Sequence, residues 1–270
     1  MQELELEVRD HVAIVSLAGP ARGNALGPDV WGELGALFSD LDQRDDVRVV
    51  VLRGRGEHFT YGLDLQRNAP LFMGLAQGGN LAAERATLRR MVHAWQDGIT
   101  AIERCSKPVI AAIDGWCIGG GVDIIAAADW RLCSATAKFS LREVKIAITA
   151  DLGALQRLPH IIGQSATRRL AMTGGDFTAE QAHQMGLVDA VYDNAEALFA
   201  AAMAEAERVA KNPPFVVHSV KEVLNRGRGM TVEQGLDYVA TWNSAFLESN
   251  DLKEAMMAFM ERREPTFQGN

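Results

Sequence analysis

What this 270-residue chain lacks narrows its chemistry. Its six histidines form no H-E-x-x-H pair, so a zinc-peptidase type of site is excluded and a metal-free mechanism is the expectation. There is no G-x-x-x-x-G-K-[ST] phosphate loop. The G-x-G at 54–56 has no third glycine where a dinucleotide site needs one. GQSAT at 163–167 departs from the G-x-S-x-G elbow of serine hydrolases. The three cysteines, Cys105, Cys117 and Cys133, form no C-x-x-C pair, and their odd number reads as reduced thiols in a cytosol-like compartment. Basic residues are in deficit. With 27 Lys and Arg against 35 Asp and Glu, the net charge is -8, which excludes nucleic acid as a general partner. A small anionic ligand remains possible, because it needs only a local basic patch.

A membrane span is missing too. The most apolar stretch, 109–128, carries Asp114, Asp123 and four glycines, and so reads as buried core. The acidic, alternating start MQELELEVRD has no targeting pattern, and EPTFQGN has no prenylation or peroxisomal signal, so the expectation is a cytoplasmic protein.

What is present reads as α/β. LELEV (4–8) alternates like a strand, and VAIVSLAG (12–19) is a second strand, with a turn at Arg9–His11. Residues 28–43 have apolar positions at helical spacing. VRVVVLRG (47–54) is a buried-type strand and 54–65 a loop. Residues 66–81 are irregular, and 81–105 form a long amphipathic helix. KPVIAAIDG (107–115) is a strand, VDIIAAAD (122–129) a helix and WRLCS (130–134) a strand. From about 164 strands almost vanish. Thr178 caps a helix over 178–186 that stops at Gly186, and 187–192 is a strand. Helices follow at 194–212, 214–227, 232–249 and 251–263. The expected division is a core over 1–193 and a helical C-terminal region over 194–270.

The chemistry gathers around acids near glycines. IGGGVDIIAAAD (118–129) places Asp123 inside the most hydrophobic region of the chain. A buried charge is costly unless it is paired, hydrogen-bonded or used. Glu143 and Asp151 follow on separate segments. A helix start offers unpaired N–H groups, glycines let a ligand approach them, and together they stabilise a developing oxyanion. Carboxylates in the same apolar pocket can have raised pKa values and move protons. Read singly, each residue is ordinary. Gly119–Gly121 can be a tight turn, Asp123 a first-turn acid, Glu143 a solvated loop acid and Asp151 an N-cap. Arg22 is a surface residue or an anion contact.

The chain resembles the crotonase, or enoyl-CoA hydratase/isomerase, family. GPARGNAL (19–26), HFTYGLDL (58–65), KPVIAAIDGWCIGGGVDIIAAADWRL (107–132), FSLREVKIAI (139–148), LGALQRLPHIIG (152–163) and AEQAHQMGLVDAVY (179–192) sit in family order over nearly the whole length. The resemblance implies an α/β fold, a spiral of ββα turns with a helical C-terminal trimerisation region, and a homotrimer or homohexamer. It implies an acyl-CoA thioester substrate and no separate cofactor or metal. The backbone N–H groups of Leu63 and Gly120 would form an oxyanion hole. Arg22 and residues 61–65 (Tyr61, Gly62, Leu63, Asp64 and Leu65), with Gly121, would contact substrate or coenzyme A, and Phe259 would reach a neighbour's nucleotide. Acids at Asp123, Glu143 and Asp151 are similar to the Δ3,5-Δ2,4-dienoyl-CoA isomerase branch of fatty acid β-oxidation. Enoyl-CoA hydratases carry two glutamates, at the positions of Asp123 and Glu143, and tend to have glycine at that of Asp151. Tyr61 departs from the isomerase branch, which often has a small residue there.

Overall fold

The valine-rich run at 49–52 builds the middle of the main sheet, because alternate side chains can be buried on both faces. In the computed structural model, which describes residues 3–70, 73 and 81–269, six strands lie in the order β1-β2-β3-β4-β6-β9. They are Leu4–Arg9, Val12–Leu17, Val49–Gly54, Val109–Ile113, Trp130–Ser134 and Ala190–Tyr192. The β1–β2 hairpin is antiparallel and the remaining pairs are parallel. The turn puts Asp10 and His11 at positive φ.

The pleat sorts the core. Val49, Val51, Ile110 and Ala112 face one way and meet Leu198, Ala202, Ala206 and Ala210 of helix α7 (Ala195–Ala210). Val50, Leu52, Ala111 and Ile113 face the other way, toward α1 (Val30–Gln43), α2 (Leu81–Arg104) and α3 (Gly120–Ala126). Helices α1 and α2 approach closely at Gly98, where a side chain would strike the Trp31 carbonyl. By its packing α7 therefore stands with the residues before 193, and α8 (Pro214–Gly227), α9 (Val232–Phe246) and α10 (Asn250–Glu261) form the outlying C-terminal helices.

The sequence reading misses a second sheet of three short strands: β5 (Trp116–Ile118), β7 (Lys138–Ser140) and β8 (Asp176–Thr178), in the order β5-β7-β8. Three residues per strand give no usable periodicity. The reading also leaves unassigned a 3-10 turn at Glu143–Ile146 and the helix α5 (Gly163–Thr173), while the helix it expects after Asp151 is α4 (Ala154–Ile161). Helix α6 (Ala179–Gln184) has the expected Thr178 cap, completed by Gln181 as a capping box. The irregular stretch expected over 66–81 falls partly outside the described residues. Helix α3 begins at Gly120, two residues earlier than its apolar run suggests, so the glycines belong to its first turn.

Candidate active site

Two loops and one helix start are locked together before any acid is placed. Buried Asn24 donates through Nδ2 to the carbonyls of Arg55 and His58, at 2.8 and 2.7 Å, and Thr60 Oγ1 donates to the Asn24 carbonyl at 2.7 Å. Leu26 and Leu63 form an isolated parallel bridge, in which Leu26 N–H donates to Gly62 and Asp64 N–H donates to Leu26. That bridge uses the Gly62 carbonyl and the Asp64 N–H. The Leu63 N–H points to the other side and has no partner among the described residues. Gly120 opens α3, so its N–H has no carbonyl one turn back.

Both residues line one cavity of about 530 Å³. Its wall takes in Tyr61, Gly62, Leu63, Leu65, Gly120 and the three acids Asp123, Glu143 and Asp151. Trp31 and Trp95, stacked with centroids 5.4 Å apart, and Leu88, Met91 and Val92 of α2 make it apolar. Sequence reading names none of these last five. For Trp95, Leu88, Met91 and Val92 the signal is the apolar face of the 81–105 amphipathic pattern, and for Trp31 it is the apolar spacing of α1, but neither pattern says that its face borders a cavity.

Asp123 is 1% exposed and rises through burial to a pKa of about 7. Its Oδ1 accepts a 2.6 Å hydrogen bond from the Ala154 N–H, which pulls the pKa down, while Glu143 and Asp151 push it up. This corrects the expectation that Asp151 caps the next helix. Helix α4 has Gly153 at its N-cap position with no side-chain cap there, and the carboxylate serving its first turn is Asp123, from another segment. Burial also raises Glu143, with the Asp151 charge adding to it. Glu143 Oε2 is buried without a hydrogen-bond partner, and Oε1 lies over Gly119, whose φ of 53° and missing side chain make room for it. Asp151 is raised by desolvation yet reaches the exposed rim. Arg142, also on the wall, is engaged elsewhere: it pairs with Asp176 at 2.8 and 2.9 Å and lies over the Trp116 ring.

Other expected site residues stand apart. Asp64 Oδ1 accepts from the N–H groups of Gln66 and Arg67, both at 3.0 Å, so it holds its own turn. Gly121 lies outside the cavity wall, packed where a side chain would strike Thr60. Arg22 is exposed on the turn whose Gly23 lies beneath the Tyr61 ring, and Tyr61 hydroxyl and His58 Nε2 are 2.9 Å apart. Phe259, on α10, is 83% exposed and does not line the cavity. Among the described residues no group of three His, Cys, Asp or Glu is placed to hold a metal ion, and no helix is long and apolar enough to cross a membrane.

The family model for enoyl-CoA hydratase/isomerase matches residues 7–270. The chain belongs to this family. Its members include the peroxisomal Δ3,5-Δ2,4-dienoyl-CoA isomerase of Arabidopsis thaliana, 46% identical over 92% of this chain and 89% of that protein. The mitochondrial protein of the same activity from Dictyostelium discoideum is 41% identical over 99% of this chain and 92% of its own. An (E)-benzylidenesuccinyl-CoA hydratase of Thauera aromatica is 36% identical over 98% of each chain. In three dimensions the chain is similar to an enoyl-CoA hydratase from Bacillus anthracis, with a TM-score of 0.89, 30% identity and full coverage of both chains.

Proposed function

We propose that this protein is a Δ3,5-Δ2,4-dienoyl-CoA isomerase. The observation that carries the reading is the convergence of Asp123, Glu143 and Asp151, from three separate segments, on one apolar cavity. Relatives of that activity at 46% and 41% identity support it.

Glu143 removes a proton from carbon 2. The electrons of that C–H bond form the C2=C3 bond, the C3=C4 pair moves to C4=C5, and the C5=C6 pair takes a proton from Asp151 at carbon 6. The charge passes through a dienolate whose oxygen sits on the N–H groups of Leu63 and Gly120, each worth about 3–4 kcal/mol by analogy with other oxyanion holes. Three acids in one low-dielectric cavity cannot all ionise together, so one base can coexist with one protonated acid. The exposed edge of Asp151 lets the pair exchange protons with water between turnovers.

Arg22 and the 61–65 loop hold the coenzyme A portion, with Asp64 and Gly121 acting through the backbone they fix. Phe259 contributes from a second copy. The apolar residues left exposed on α8–α10, among them Val220, Leu224 and Leu236, support assembly into a trimer or a dimer of trimers. Three free, buried cysteines fit a reducing cytoplasm, and burial pushes the Cys105 and Cys133 thiols up to about 11 and 12.

The test is turnover on a 3,5-dienoyl-CoA and, separately, on a 2-enoyl-CoA. The first reaction gains absorbance as a diene becomes conjugated to the thioester, and the second loses it. Gain with little hydration is the expected result, and Asp151→Asn should abolish it. Hydration alone, unaffected by Asp151→Asn, would make the protein a hydratase using Asp123 and Glu143.

A further inference from the structure

A proton shift from carbon 2 to carbon 6 needs its acid held as firmly as its base, yet Asp151 stands on an exposed loop. The loop is tied down from outside the cavity. Gln96, on the α2 face next to Trp95, donates through Nε2 to the Asp151 carbonyl at 2.6 Å. Two residues on, the Arg157 guanidinium fills the space beside Gly153, where any side chain would collide with it. Arg157 is itself fixed to α2: Nε donates to Glu103 Oε2 at 2.9 Å and Nη2 to Thr100 Oγ1 at 3.2 Å. Glu103 is also paired with Arg228 at the end of α8, and its carbonyl accepts from Asn225 Nδ2 at 3.1 Å. Gln96, Thr100 and Glu103 follow one another at helical spacing, so a single stripe of α2 grips the 151–157 segment. From the inside, Asp123 holds the Ala154 N–H.

We propose that Gln96 and Arg157 are positioning residues for Asp151, setting its reach across the cavity to carbon 6. The proposal rests on the isomerase reading above. It separates the two halves of the reaction, because Glu143 lies on the 143–146 turn, to which neither Gln96 nor Arg157 is bonded.

The experiment compares wild type with Gln96→Leu and Arg157→Met on 3,5-dienoyl-CoA, using substrate deuterated at carbon 2 and, separately, D2O as solvent. Both variants should keep their melting temperature within a few degrees and KM within about threefold. Isomerisation should slow about 10–100-fold, the range expected for a catalytic group misplaced by about 1 Å. The isotope effect at carbon 2 should shrink and the solvent effect grow, because delivery at carbon 6 becomes limiting. Slowing with both isotope effects unchanged would mean general damage and overturn the proposal, as would no slowing in either variant. Asp151→Asn is the control. If it is as fast as wild type, the isomerase role of Asp151 fails, and the grip loses its purpose with it.

Discussion

The sheet core and the C-terminal helices use apolar residues in opposite ways. Every residue of β2 and β4 is buried, and α7 closes the sheet with alanines small enough to lie flat on it. In α8 the one buried residue is Lys221, and α9 has none. Their apolar side chains, such as Val216, Leu224 and Leu236, stay exposed. A chain that satisfies its core this fully and leaves three helices unsatisfied has divided its labour. The core makes the cavity, and the outer helices present a surface. What joins them is polar: the Lys221 ammonium, 6% exposed, lies 2.8 Å from Asp129 and donates to the carbonyls of Ile102 and Lys107.

The largest effect should fall on the core alone. Glu143→Gln is expected to lower kcat for isomerisation about 10²–10⁴-fold, the usual worth of a positioned base, while leaving the sedimentation behaviour of the protein unchanged. A loss of assembly in this variant would break the division.

Asp123→Asn comes next, with a sign set by pH. The folded carboxyl titrates near 7 against an ordinary 3.8, so the folded state holds its proton more tightly. Stability therefore falls as pH rises from about 4 through about 7 and stays lowered above that. Asparagine keeps an acceptor for the Ala154 N–H and removes the charge. The variant should gain up to roughly 4 kcal/mol at pH 8 and almost nothing near pH 4, measured by urea unfolding at both. Equal curves at the two pH values would mean that Asp123 is ionised without penalty.

Lys221→Met tests the joint. It leaves Asp129 with its Val109 N–H but without a cation, and should cost about 3 kcal/mol. Limited proteolysis should then release the helices after 213 before cutting the sheet. Simultaneous cutting of both would show one cooperative unit.

The smallest effect should be Phe259→Ser. An aromatic this exposed contributes within about 0.5 kcal/mol in a dilute, monomeric sample. A larger loss that grows with protein concentration would place a second copy on α10.

The legible parts were those with long periods or fixed spacing. The parallel strands, the amphipathic helices and the Thr178 cap announce themselves in the pattern. So does the set Asp123, Glu143 and Asp151, because acids among glycines and apolar runs need a reason to be there. The β5-β7-β8 sheet did not show, since strands of three residues carry almost no periodic signal. Asp151 as a helix cap was the natural local reading, and it fails because the first turn of α4 is served by Asp123, 31 positions before the Ala154 N–H that it accepts from.

By itself, then, the sequence determined the types of the longer elements and the identity of the acids, because backbone period and side-chain chemistry are local properties. Only the tertiary structure decided that Trp31 and Trp95 would wall the acids in, that Asp123 would serve α4, and that Gln96 would reach the Asp151 carbonyl. Each of these is a meeting of distant segments, fixed by how the helices pack on the sheet and written in no single stretch of the chain.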